Sequence, residues 1–391
     1  QMKYKKTFYP LTKNVLDNQD INSAIKILRS RKITMGTQTA RFEKQFSKKI
    51  TVKNSIMVNS GSSANLLIFQ CLINPMVKKL KPGDEVLVSS ICWSTSLWPI
   101  IQSGLKAKFV DVNLDNLNID LTDLKKKISR KTKALMLVHA LGNCADMDKI
   151  VKICKENKLI LIEDTCEALG SAYKGKKLGT FGEFSSFSFY YSHHITSGEG
   201  GMICTKSKKY LNVIKTLRSH GWAREIEKNT KNNWKFINSG FNLRPTDICA
   251  SIGASQLQKL NQILSVRRNN YNLISRALLS NSKFNNQFKI IKESSKTKIC
   301  WFGIAIVLKS KKKNYKNTVT KKLNLKGIDT RPLISGNFAN QPAVKLYKLK
   351  YTNNLKNADF LDKNSFFLGI HNSKITKKEI QYLTRSIYSS L

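Results

Sequence analysis

Residues Ser185–Gly201 read SSFSFYYSHHITSGEGG. Small and apolar residues alternate as far as Tyr191. His193 and His194 then stand together, and a glycine-rich run returns into Met202, Ile203 and Cys204. This pattern predicts a buried strand that hands a reactive side chain to a loop. Upstream, Leu159–Ile162 is a fully apolar strand that ends in Glu163, Asp164, Thr165, Cys166 and Glu167. Acidic residues at the carboxyl end of a buried parallel strand stand where open α/β sheets bind ligands. A carboxylate buried there needs a partner. For Asp164 the candidates are a cation such as a protonated ring nitrogen, or the amides of a following helix that it would cap.

Further out, the strand Ser55–Val58 runs into Asn59-Ser60-Gly61-Ser62-Ser63-Ala64-Asn65 and the apolar helix Leu66–Leu72. A small-residue loop opening a helix presents N–H groups and hydroxyls to an anion. A plain serine cap has the same appearance. Trp93 follows the strand Val86–Val88 and is either a core residue or a stacking plate for a planar ring. His139 ends the strand Ala134–Val138, where a structural role competes with that of ligand or base.

Strands alternate with helices to about residue 205, which predicts a mainly parallel α/β sheet. Glu225–Asn233 is polar and reads as an exposed loop. Gly240–Thr246 precedes an apolar helix, Asp247–Leu260, and a long helix, Gln262–Leu279. Beyond it the pattern changes to short strands and lysine-rich helices. The expected division is a large domain, residues 1–260, and a smaller α+β domain, residues 261–391.

The chain has 391 residues and a net charge of +43. So extreme a charge suggests nucleic acid or an anionic surface. The lysines, however, are spread along the whole chain and greatly outnumber the arginines, whereas base-reading sites favour arginine forks with interleaved aromatics. The expectation is no nucleic-acid partner and a surface that attracts an anionic small substrate. The eight cysteines include no CxC or CxxC pair, so the sequence offers no zinc or iron–sulfur spacing. They read as buried free thiols, which suit a cytoplasmic location. No apolar run reaches the roughly 18 residues of a membrane span.

MGTQTARFEKQF, VNSGSSANLL, KPGDEVLV, VHALGNCADMD, LIEDTCEALGS, FSFYYSHHITSGEGG and GFNLRPTDICASIGASQL, between about residues 35 and 260, together resemble the DegT–StrS family of nucleotide-sugar aminotransferases. The resemblance implies fold type I of the pyridoxal-phosphate enzymes, with a mainly parallel seven-stranded sheet. It makes Gly61, Ser62 and Ser188 contacts to the cofactor phosphate, Trp93 the ring plate, Asp164 the partner of the pyridine nitrogen and Glu167 the neighbour of the ring hydroxyl. Asn242 would reach the phosphate from a second subunit, which implies a homodimer with shared active sites. Arg244 and Arg331 are candidate anion contacts to the substrate.

One position departs from the family pattern. Where the aminotransferases carry the lysine that anchors the cofactor, this chain has His193. Imidazole makes no stable link to the cofactor aldehyde, but it moves protons well near neutral pH. A histidine here resembles the pyridoxamine-phosphate-dependent sugar 3-dehydratases. The missing CxC favours the kind without an iron–sulfur cluster, whose substrate is GDP-4-keto-6-deoxy-D-mannose. The resemblance implies that His193 takes a proton from the cofactor, that the sugar loses its C3 hydroxyl, and that L-glutamate restores the amine. Two alternatives stand beside it: an aminotransferase using another lysine, such as Lys174, Lys176 or Lys177, and a non-catalytic cofactor-binding homologue.

Overall fold

The computed structural model describes residues 7–13, 15–227, 234–310, 312–349 and 354–391. Residues 228–233 of the expected polar loop, and the basic residues 1–6, lie outside them.

Seven short strands form the main sheet: β1 (Asn54–Val58), β2 (Glu85–Ser89), β3 (Lys106–Val110), β4 (Thr132–Val138), β5 (Ile160–Asp164), β6 (Phe184–Ser188) and β7 (Gly201–Thr205). Their order is β1-β7-β6-β5-β4-β2-β3. Neighbours from β6 to β3 run parallel, whereas β7 is antiparallel to both β6 and β1. The reversal arises because Phe189–Gly200 contains no helix to carry the chain back across the sheet. Every strand except β7 therefore points the same way. The loops after β1, β2, β4, β5 and β6 share one edge, and all the strongest candidate residues lie on those loops or at the strand ends that lead into them.

The strands read as continuous apolar runs because helices cover both faces. On one face Phe42 and Phe46 of helix Thr37–Ile50 pack on Phe187 and Phe189 with ring centroids 5.1–5.4 Å apart. The start of that helix is held from a distance. Buried Asp247 accepts hydrogen bonds from the amides of Gly36, Gln38 and Thr39 and from the Thr39 hydroxyl. A carboxylate at a helix N-terminus also meets the positive end of the helix dipole.

A second, antiparallel sheet combines β8 (Phe288–Ile290), β9 (Gly303–Leu308), β10 (Arg331–Pro332) and β11 (Ser365–Gly369) in the order β8-β9-β11-β10. Helix Leu260–Leu279 leads to it from helix Asp247–Gln258. The N-terminal segment also packs here. The amides of Phe8 and Tyr9 donate to the Gly327 carbonyl, and the Tyr9 hydroxyl donates to that of Gly369 at 2.9 Å. One buried apolar cluster runs through both sheets, from Ile56 and Val88 to Ile306 and Phe366. All eight cysteines are free thiols, six of them buried. Among the described residues no helix is long and apolar enough to cross a membrane.

Candidate active site

Asp164 ends β5 and is 6% exposed. Its Oδ2 accepts hydrogen bonds from Asn65 Nδ2 at 3.0 Å and Ser96 Oγ at 2.8 Å, and its Oδ1 accepts from the Cys166 amide at 3.2 Å. All three donors are neutral. They orient the carboxylate and leave its charge uncancelled, which is costly unless a cation arrives. A protonated pyridine nitrogen supplies that cation, so this donor set fits pyridoxal or pyridoxamine phosphate.

Gly61 opens helix Gly61–Ile73, whose N-cap Ser60 accepts from the Ser63 amide at 3.0 Å. A Cβ on Gly61 would stand 2.7 Å from Ser188 Cβ, 3.1 Å from Ser188 Oγ and 3.2 Å from Cys166 Sγ. The fold thus brings together the helix start, the end of β6 and the loop after β5, and only glycine allows so close an approach. Ser62 Oγ donates to Thr95 Oγ1 at 3.1 Å, which joins the same helix start to the Trp93 loop. Trp93 is 54% exposed, so its ring is a plate and not part of the core.

Glu167 accepts from the Leu141 amide at 2.8 Å. Burial pushes its carboxyl up to about 7; the Leu141 hydrogen bond opposes the shift and the Asp164 charge adds to it.

His193 follows the end of β6 in a turn closed by its own amide donating to the Tyr190 carbonyl at 3.0 Å. β6 stops at Ser188, short of the alternation that runs to Tyr191, because the chain turns there and leaves Tyr190 and Tyr191 each 48% exposed. His193 Nδ1 is shielded and has no hydrogen-bond partner. Burial pulls this imidazole down to about 4, against the opposing pull of Asp164. The ring is therefore neutral near pH 7 and able to accept a proton.

His194 faces the other way. It is buried, its Nε2 lies 2.9 Å from the Cys300 carbonyl, and burial holds it neutral. His139 is also a core residue. Its Nε2 lies 3.0 Å from Glu163, a buried carboxylate that also accepts from the amides of Gly179, Phe181 and Gly182. Successive residues of a strand face opposite sides, so Glu163 and Asp164 serve different purposes.

Asn242 and Arg244 form a separate corner. Arg244 Nε donates to Asn242 Oδ1 at 3.1 Å, and its guanidinium lies 5.4 Å from the Trp222 ring centre. Exposed Trp234, Phe236 and Phe241 lie close by in sequence. Arg331 is exposed on β10. The segment that follows it packs beside Trp93: Ser335 donates to the Cys92 carbonyl and the Phe338 amide donates to that of Ser90. Lys174 pairs with Asp148, Lys176 lies over the Phe181 ring, and Lys177 donates to the Lys49 carbonyl and Thr51. None of these contacts reaches Asp164 or Ser188.

Asn65, Ser96 and Thr95 do not emerge from the sequence reading, yet they hold this site. Asn65 had a signal: it lies four residues after Gly61 and so on the same helix face.

Comparison with known proteins agrees with this geometry. The model of the DegT/DnrJ/EryC1/StrS aminotransferase family matches residues 14–388. GDP-4-keto-6-deoxy-D-mannose 3-dehydratase of Escherichia coli O55:H7 is 36% identical over 387 residues, covering 96% of this chain and 98% of that protein. The protein of the same name from Yersinia pseudotuberculosis is 34% identical over 382 residues, covering 95% and 96%. The solved structure of an E. coli GDP-4-keto-6-deoxy-D-mannose-3-dehydratase with bound hydrated PLP superposes with a TM-score of 0.91 at 35% identity, covering 97% of this chain and 99% of that one. With the parallel sheet, the glycine-opened helix and the buried Asp164 in place, the chain belongs to the DegT/DnrJ/EryC1/StrS aminotransferase family and has the fold of its pyridoxal-phosphate enzymes.

Proposed function

We propose that the chain is a nucleotide-sugar 3-dehydratase that uses pyridoxamine phosphate and L-glutamate. Its substrate is an NDP-4-keto-6-deoxyhexose, GDP-4-keto-6-deoxy-D-mannose in first place, and its product serves dideoxysugar and lipopolysaccharide biosynthesis. Identity of 34–36% over nearly the full length to relatives of that name supports the substrate class. The observation that carries the reaction is His193: a neutral imidazole with a free Nδ1, in the field of Asp164, where the family's aminotransferases have their lysine.

When bound, the cofactor supplies the amine that condenses with the C4 ketone and a ring that accepts electron density. Asp164, oriented by Asn65 and Ser96, holds the ring nitrogen protonated. Gly61, Ser62 and Ser188 would hold the phosphate, Trp93 would cover one ring face, and Glu167 would meet the ring hydroxyl. His193 would take up the proton from the cofactor's C4′ carbon and hand it to the departing C3 hydroxyl of the sugar, which leaves as water. The same imidazole serves the half-reaction with glutamate, since no lysine stands there to replace it. Arg244 and Arg331 contact the anionic substrate. No metal or iron–sulfur cluster enters this scheme.

The working unit in this reading is a homodimer, in which Asn242 reaches the phosphate in the other copy's site. The exposed aromatics near it, with Trp234 71% exposed, support a covered surface there. We assign residues 1–260 to the cofactor-binding domain and 261–391 to the smaller one, with Phe8 and Tyr9 reaching across to Gly327 and Gly369 of the latter. A cytoplasmic location belongs to the same reading, supported by the free thiols. Ammonia and 2-oxoglutarate release should be assayed with glutamate and the GDP, CDP and dTDP forms of 4-keto-6-deoxyhexoses. Release with the GDP sugar is expected, and release with none of the three would overturn the proposal.

A further inference from the structure

Arg267, on helix Leu260–Leu279, is 2% exposed. Its Nη1 donates to Asn372 Oδ1 at 2.8 Å, and its Nη2 donates to the Trp301 and Phe302 carbonyls at 2.9 and 3.0 Å. Its Nε is buried without a partner. Among the described residues no carboxylate forms an ion pair with it. A guanidinium sealed away with carbonyls, an amide and the Cys300 thiol, and with no carboxylate, is expensive. Stability alone gives no reason to keep it there.

Two of its partners, Phe302 and Asn372, lead to the histidine turn. The Phe302 ring packs on His193 at 5.2 Å and on His194 at 6.1 Å between centroids. Asn372, whose Oδ1 is taken by Arg267, donates through Nδ2 to the His194 carbonyl at 3.1 Å. His194 in turn contacts the Cys300 carbonyl, two residues before Phe302. Three of the five histidines, His193, His194 and His371, feel the Arg267 charge, and it disfavours a second positive charge on each.

We propose that Arg267 is a positioning residue for His193: anchored to Trp301, Phe302 and Asn372, it clamps the His193–His194 turn from behind, with its fixed positive charge on the far side of the base from the cofactor cradle. The groups that act on His193 are known from each side. Asp164 at the end of β5 and the Cys166 carbonyl favour the imidazolium; burial and Arg267 oppose it. His194, its neighbour in the turn, is itself held neutral by burial, and the Tyr190 and Phe302 rings pack against the imidazole. A general base must be held in line with the proton it takes, and a clamp behind the turn fixes where the imidazole stands. This role rests on the reading of His193 as the base.

The test is a histidine titration by NMR on isotope-labelled full-length protein without substrate, with His193 assigned from His193→Ala. Arg267→Met removes the charge, and the His193 midpoint should rise by about one pH unit or more. Arg267→Lys keeps the charge, and its midpoint should stay near that of the parent. A folded R267M with an unmoved midpoint overturns the proposal, as does R267K displaced as far as R267M. Should R267M fail to fold, Asn372→Ala tests the clamp. The His193 ring shifts should then change, and kcat should fall about ten-fold at constant KM, the loss expected when a catalytic group is slightly misplaced. Unchanged shifts and kcat overturn the proposal. The titration needs no turnover, so its failure is separable from failure of the dehydratase reading.

Discussion

Gly61 and Ser188 lie so close that a side chain on the first would stand 2.7 Å from Cβ of the second. Neither Cβ can swing away, because both are fixed to backbone at a helix start and a strand end. Gly61→Ala should therefore displace one element against the other. Such overpacking costs about 1–3 kcal/mol, which, if lost from cofactor binding, corresponds to roughly 5- to 150-fold weaker affinity. An absorbance titration with pyridoxal phosphate reads this directly. Parent-like affinity in the variant would show that the cradle is not where the phosphate sits.

Asn65 and Ser96 both donate to Oδ2 of Asp164. Removing either leaves a buried carboxylate oxygen short of a donor. Asn65→Ala and Ser96→Ala should each destabilise the cofactor-free protein by about 1–3 kcal/mol. Their combination should deviate from the sum, because the two donors share one acceptor. Urea unfolding of the single and double variants measures both effects, and exact additivity would separate the two residues from a common network.

Glu167 gives a pH-dependent prediction. Its carboxyl is raised by burial to about 7 in the folded protein. A raised folded-state value makes the group's contribution full at low pH, below its unfolded value, and lost as pH climbs toward 7. Glu167→Gln should match the parent near pH 4.5 and exceed it by about 1–3 kcal/mol above pH 7 in the cofactor-free state. Melting curves across that range check the sign. Greater stability of the variant only at acid pH would contradict it.

His193→Ala should keep the fold and the cofactor while turnover falls by about 10²–10⁴-fold, the usual loss when a positioned base is removed. Borohydride reduction of the resting parent followed by peptide mapping should yield no cofactor-labelled lysine. Label at Lys174, Lys176 or Lys177 would move the chain to the aminotransferase alternative.

Much of this site was legible in the sequence because its parts lie at strand ends. The apolar run Leu159–Ile162 announces β5 and therefore where Asp164 points, and the small residues around Gly61 announce a helix start. Three features were not legible, each for a physical reason. The direction of β7 is invisible because an apolar strand reads the same whichever way it runs. The resemblance singles out His193, but nothing in one dimension assigns His194; a turn is needed to send one toward Asp164 and the other to the Cys300 carbonyl. The support of Asp164 by Asn65 and Ser96 depends on two helices meeting a distant strand end, and no local periodicity records that contact.

The most direct test of the central claim is the identity of the sugar formed from GDP-4-keto-6-deoxy-D-mannose, the cofactor and glutamate, read by NMR at C3 and C4. The account predicts a C3 methylene beside an intact C4 ketone or its hydrate, with ammonia released. A product that keeps its C3 hydroxyl and carries an amine at C4 would contradict it.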